Sequence, residues 1–204
     1  MAPKYTLRYF NITALAEPIR FLFAYGGIEY EDARFEREEW PEIKSKMPFG
    51  QVPVLEFDGK VINQSSAICR YLAKMVKLAG KDDLQAMEID AMVDNINDLR
   101  QKIGLYAYEA DEELKEKKRV PLVNETVPFF LGKFDEIAKT NKGYFVGGEL
   151  TWADLFFVAV LDYMNFMFGS NLIEKYPNLQ KVKENVLAVP AIKKWVEERP
   201  KTAA

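Results

Sequence analysis

A chain with no histidine and a single cysteine, Cys69, has few ways to move a proton or attack a carbon. Ser-His and Cys-His pairs, zinc clusters and intramolecular disulfides are all excluded. Chemistry is left to Tyr, Lys, Arg, carboxylates, hydroxyls, the backbone, or a nucleophile brought in from outside. Several places are suited to hold such a guest. Tyr9 stands near the end of the aromatic run Tyr5 to Phe10, where its phenol could donate a hydrogen bond into a cleft; the alternative is an amphipathic core tyrosine. Trp40 and Lys44 are four residues apart, which puts both on one side of a helical turn, as ligand contacts or as an ordinary surface pair. In Met47-Pro-Phe-Gly-Gln-Val-Pro-Val-Leu, Pro53 enters a strand that it cannot join as a donor. A cis Val52-Pro53 bond would leave the N–H and C=O of Val52 free to pair with an extended, peptide-like ligand; a trans proline at a strand edge is the plain alternative. Gln64-Ser65 precedes a helix start, whose unpaired N–H groups favour a carboxylate, unless Ser65 is only an N-cap.

The elements that must position these residues follow from periodicity. Tyr5 to Phe10 predicts a strand, Glu17 to Tyr25 a helix stopped by Gly26-Gly27, and Tyr30 to Phe35 a second strand, parallel to the first. Val52 to Phe57 and Lys60 onward flank Asp58-Gly59, a hairpin signal, and Ala67, Ile68, Tyr71, Leu72 and Met75 fall at helical spacing. The order β-α-β then β-β-α is thioredoxin-like. Beyond residue 80 the texture becomes wholly helical. Leu84 to Tyr108 predicts a long amphipathic helix and another starts near Glu112, with Lys115 to Arg119 as a solvated surface. Pro128 opens or kinks a further apolar stretch. Thr151-Trp-Ala-Asp is a capping-box variant ahead of the buried helix around Leu155 to Met164, and Pro177 and Pro190 begin two last helices. The expected architecture is therefore α/β plus all-α, with domains at 1–79 and 80–204.

Composition narrows the partners. A hydrophobic content of 49% in 204 residues builds a core without disulfides. The balance of 28 Lys and Arg against 31 Asp and Glu, net charge −3, offers no surface for tracking phosphates, so nucleic acid is not expected. No signal-like segment or membrane-length apolar run is seen, and a cytoplasmic setting is expected. Cys69 reads as an inert buried thiol.

Taken together, Tyr-Phe-Asn at 9–11, Ala-Glu-Pro-Ile-Arg at 16–20, Trp-Pro-Glu-Ile-Lys at 40–44, the loop at 47–55, Gln-Ser-Ser-Ala-Ile-Cys-Arg-Tyr-Leu at 64–72 and Leu-Thr-Trp-Ala-Asp at 150–154 resemble the sigma-class cytosolic glutathione transferases. The likeness covers essentially the whole chain. It is strongest to insect members, with haematopoietic prostaglandin D synthase more distant. The resemblance implies that glutathione is the co-substrate, with no metal or prosthetic group, in a homodimer acting on small hydrophobic electrophiles in detoxification, lipid-peroxidation aldehydes among them. It implies Tyr9 as the catalytic donor to the glutathione sulfur. Trp40 and Lys44 would hold the glycyl end, Gly50, Gln51, Val52 and Pro53 the cysteinyl part, and Gln64 and Ser65 the γ-glutamyl group. Asp98 would reach the γ-glutamyl amine from the other subunit. Phe10, Leu15, Tyr106 and Tyr108 would wall the electrophile pocket, or be core aromatics and aliphatics. The vertebrate relative has an arginine where this chain has Leu15, so the thiolate must be stabilised without that cation. Two other readings share the fold: a glutathione-dependent prostaglandin D isomerase, and a non-enzymatic crystallin-like protein or ligand carrier. The crystallins carry an insertion in the helical domain that is not seen between Gly80 and Glu112.

Overall fold

The computed structural model describes residues 4–202. Tyr5–Phe10 (β1) alternates buried and half-buried side chains, so Tyr5, Leu7 and Tyr9 face the core. Glu17–Gly26 (α1) follows a 3-10 turn at Ala14–Ala16 and ends at Gly27, whose φ of 58° is the left-handed cap that an L side chain resists. Tyr30–Phe35 (β2) returns parallel to β1, with Tyr9 opposite Arg34. Val54–Phe57 (β3) and Lys60–Asn63 (β4) form a hairpin whose corner residues Asp58 and Gly59 both have positive φ, 47° and 73°. The sheet order is β2-β1-β3-β4, with β3 antiparallel to β1. Between β2 and β3 lies the short helix Trp40–Lys44 (α2), and after β4 comes Ser65–Met75 (α3). This is the thioredoxin-like arrangement expected, with its sheet at the N-terminal end of the chain.

The remaining elements are helical: Asp83–Ala107 (α4), Glu112–Pro121 (α5), Val127–Thr140 (α6), Trp152–Phe168 (α7), Pro177–Leu187 (α8) and Pro190–Glu198 (α9). Asp82 caps α4 by accepting from the Gln85 N–H at 2.8 Å. A π-helical turn at Leu122–Thr126 carries α5 into α6, where the sequence suggested only an opening or kink at Pro128. The basic run on α5 is spent on surface ion pairs, Lys117 with Glu113 and Lys118 with Glu109. Helix α7 is buried on nearly every side and packs against both α4 and α1, so it joins the helical layer to the N-terminal domain. Among the described residues no helix is long and apolar enough to cross a membrane.

Candidate active site

Tyr9 is the last inward-facing residue of β1 and only 6% exposed, yet it borders a cavity of about 430 Å³ at the junction of the sheet with α4 and α7. Phe10, Ile12, Arg37, Trp40, Tyr108 and Tyr163 complete its wall. Burial pushes the Tyr9 phenol above its ordinary value; the Leu15 backbone N–H and the charges of Arg20 and Arg100 pull it down without prevailing. The phenol is therefore neutral through the physiological range, which makes it a donor. Arg20 and Arg100 are near enough to act on it electrostatically, and Arg37 lies on the cavity wall. Across the cavity the Tyr108 and Tyr163 hydroxyls are 2.9 Å apart. These two tyrosines also wall a second cavity of about 450 Å³, which adds Arg100, Gly104, Leu105 and Met167. Cavities of about 610 and 780 Å³ lie elsewhere, along the connection near Gly80 and beside the start of β1. The first has no tyrosine, and the second sets Tyr5, Tyr30 and Lys4 beside the carboxylates Glu29 and Glu31, which would oppose an anion, so chemistry and not volume locates the site.

The rim is built from the loops at the C-terminal end of β2 and the approach to β3. A capping box between Glu36 and Glu39 starts the turn that delivers Trp40. The indole stacks on Phe35, centroids 5.8 Å apart at 11°, and meets Phe10 edge-on at 5.4 Å. Lys44 is exposed at the end of α2, its methylenes lying over Gly50. Gly50 has φ 58°, which favours glycine, while the Lys44 Cε that a Cβ would approach at 3.3 Å belongs to an exposed chain that can shift aside. Val52-Pro53 is cis, and Val52 has no backbone hydrogen-bond partner among the described residues. Gln64 donates from Nε2 to Gln51 Oε1 at 3.4 Å. Its own φ of 76° is a strained value for a side-chain-bearing residue, of the kind that collects at binding sites.

Three expectations need correction or qualification. Ser65 is not an N-cap: it is the first residue of α3, Gln64 holds the cap position, and no side chain caps that end, so the leading N–H groups stay open to a ligand. Leu15 does not line the cavity; its side chain packs against the core while its N–H faces Tyr9. Tyr106 also lies outside it, under Lys115 Nζ at 6.0 Å from the ring centroid, because its neighbour Tyr108 takes the inward side at the end of α4. Asp98 is exposed on α4 and enters no ion pair among the described residues, while Asn97 beside it donates to Ser66 Oγ at 3.1 Å, tying α4 to the start of α3. Cys69 is fully buried and burial pushes its thiol far up, so it is no nucleophile.

The N-terminal domain model of the glutathione S-transferases matches residues 5–74, and their C-terminal domain model matches 97–199. A glutathione S-transferase of Anopheles gambiae is 50% identical over 200 residues, 98% of each chain. Glutathione S-transferase S1 of Drosophila melanogaster is 51% identical over 97% of this chain and 80% of its own. The chain belongs to the glutathione S-transferase family. Among solved structures, the prostaglandin synthase D of Nilaparvata lugens superposes with a TM-score of 0.94 at 44% identity, covering 98% of this chain and 100% of that one.

Within this transferase fold, sequence reasoning overlooked Arg37, Arg100 and Tyr163. Arg100 sits two turns before Tyr108 along α4 and is half-buried, with Tyr9 and Tyr163 as its electrostatic neighbours. It has no carboxylate partner among the described residues. An arginine at that spacing from Tyr108 in an amphipathic helix was the one available signal. Tyr163 had none, since it stands in the apolar run of α7 and is brought to the cleft only by the packing of α7 on α4.

Proposed function

We propose that the protein conjugates the thiolate of glutathione to small hydrophobic electrophiles, as a sigma-class transferase. The reading rests on one observation above the others: a buried, neutral Tyr9 phenol at the floor of a cleft, with Arg20 and Arg100 as near cations. A free thiol titrates near 8.5, and holding it two units lower is worth about 2.7 kcal/mol, the range of a hydrogen bond to a charged group. Tyr9 donates that bond to sulfur. Trp40 and Lys44 bind the glycyl end, the backbone of Gly50 to Pro53 runs beside the cysteinyl part, and Gln64, Ser65 and the open N-terminus of α3 take the γ-glutamyl carboxylate. The division into a glutathione-binding domain at 1–79 and a pocket-supplying domain at 80–204 fits this assignment.

With an α,β-unsaturated aldehyde, sulfur bonds to the β-carbon, the C=C electron pair moves toward the carbonyl oxygen as an enolate, and the α-carbon takes up a proton. The Tyr108 and Tyr163 hydroxyls and Arg100 are the donors available to that developing charge, and Phe10 and the second cavity accept the alkyl tail. The protein acts as a homodimer in the cytoplasm, with Asp98 of each protomer serving the other's γ-glutamyl site. Its free carboxylate and the exposed apolar groups Phe49, Leu84 and Met87 support that assembly. A second reading, isomerisation of a prostaglandin endoperoxide by the same thiolate, draws on the likeness to the Nilaparvata prostaglandin synthase D. Leu15 in place of arginine weighs against it.

The test is thiolate absorbance of bound glutathione against pH, in the unaltered protein and in Tyr9→Phe. A lowered thiol pKa that rises by about one to two units in the variant is expected. Tight binding with an unshifted thiol would move the protein to the carrier reading.

A further inference from the structure

A set of buried charges behind the catalytic turn has no part in the scheme above. Glu17 and Arg20, at the start of α1, are both 0% exposed. Charges sealed from water are costly unless paired, and Arg20 is paired at Nε and Nη1 while its Nη2 has no partner among the described residues. Arg20 Nη1 donates to Glu17 Oε2 at 3.1 Å and to the Ile12 carbonyl at 2.8 Å, and its Nε donates to Asp32 Oδ1 at 3.2 Å. Asp32 also accepts from Arg34 Nε at 2.8 Å, and Arg34 Nη1 reaches Asn11 Oδ1 at 3.4 Å. Arg20 and Arg34 thus grip the turn at 11–13 that follows β1. Next in the chain is Ala14, fully buried at φ 34°, a conformation that survives only where the surroundings over-determine it. Leu15 follows directly, with its backbone close enough to the Tyr9 phenol to lower that group's pKa.

The other oxygen of Glu17 belongs to the far end of the chain. Glu17 Oε1 accepts from Trp195 Nε1 and from Arg199 Nη1, each at 2.8 Å, across 178 and 182 residues of sequence. Arg199 Nη2 continues to Asp162 Oδ2 on α7 at 3.2 Å. Without these donors Glu17 would be a buried carboxylate with Arg20 as its sole partner, and it would draw the guanidinium off the Ile12 carbonyl. We infer that Trp195 and Arg199 are positioning residues for the reaction: they fix Glu17, Glu17 fixes Arg20, and Arg20 sets the turn that aims Leu15 and Tyr9 at the sulfur. This rests on the role proposed for Tyr9. A mere staple between α9 and α1 would change stability and leave the thiol untouched.

The experiment is the same thiolate titration on Arg199→Leu, Arg199→Lys and Trp195→Phe, with circular dichroism to confirm folding and a glutathione Kd for each. Arg199→Leu raises the bound-thiol pKa by about half to one unit, a three- to tenfold loss of thiolate at pH below the pKa, with Kd changed less than about twofold. Arg199→Lys recovers more than half of that shift. Trp195→Phe keeps an aromatic ring, though a smaller one, removes one donor and moves the pKa in the same direction by less. If Arg199→Leu does not fold, Trp195→Phe decides. Folded variants with the unaltered thiol pKa, alongside a Tyr9→Phe that raises it, overturn this inference and leave the function standing. An unaltered protein that fails to lower the thiol pKa overturns both.

Discussion

Replacing Asp154 with alanine tests whether the buried carboxylate at the start of α7 holds the two domains' shared helix in place, and the size and pH trend of the effect can be worked out in advance. Asp154 is 0% exposed. It accepts from the Phe145 N–H, the Thr151 N–H and the Thr151 hydroxyl, each at 2.8 Å. Removing it leaves three buried donors unpaired, at about 1–3 kcal/mol each, so a loss near 5 kcal/mol is expected when the carboxyl carries no burial penalty of its own. It does carry one at neutral pH: burial, the dominant cause, raises its pKa from 3.8 to about 6. A folded-state value above the unfolded one means that the native protein holds the proton longer, so this group's contribution is complete below pH 3.8 and declines as pH rises to about 6. At about 1.36 kcal/mol per unit the decline totals about 3 kcal/mol. Urea unfolding of the unaltered protein and Asp154→Ala at pH 4.5 and 7.5 should therefore give a penalty of about 4 kcal/mol at the lower pH and about 2 kcal/mol at the higher. A penalty under about 1 kcal/mol at both, or one that grows with pH, refutes the reasoning.

Two further outcomes follow from the cleft and the surface. Tyr163→Phe removes one hydroxyl from the pair at 2.9 Å; it should lower kcat/KM for an unsaturated aldehyde about tenfold while changing that for an activated aryl halide less than about twofold, measured side by side. Phe49 is 91% exposed at φ 53°, and burying one such ring is worth about 1.5–3 kcal/mol; a two-fold interface counts it twice, so Phe49→Ser should weaken self-association by about 10²-fold or more in sedimentation velocity.

Local placement was readable where one segment carries it. Trp40 and Lys44, Gln51 to Pro53, and Gln64 with Ser65, the proposed glutathione contacts, each lie within a few residues of a strand end or helix start, and turn and cap rules act at that range. The corner Asp58-Gly59 and the cap Thr151 to Asp154 were legible for the same reason. What escaped was convergence. Tyr108 and Tyr163 are 55 residues apart in sequence, and their hydroxyl contact depends on how α7 crosses α4. Leu15 and Tyr106, carried over from the family likeness, do not line the Tyr9 cavity, because which residue of a face reaches a cleft depends on the neighbour that closes over it. Glu17 and Arg20 look like the solvated side of an amphipathic helix; nothing local says that α9 will cover them.

Leu15 offers no side-chain cation, and the burial of Tyr9 bears on how the proposed thiolate would be stabilised. A phenol with a lowered pKa would ionise near the thiol and repel it. Here desolvation holds the proton on oxygen, while Arg20 and Arg100 favour negative charge at the same spot. Those cations cannot ionise the phenol, but their field also acts on a sulfur placed against it, where the anion forms at a far lower intrinsic pKa. The Leu15 N–H adds a fixed dipole that needs no side chain. In the proposed site the unpaired charge comes from Arg100 on α4, since Arg20 on α1 is paired with Glu17 and Asp32, and a cation already held by packing would need little reorganisation to meet the thiolate.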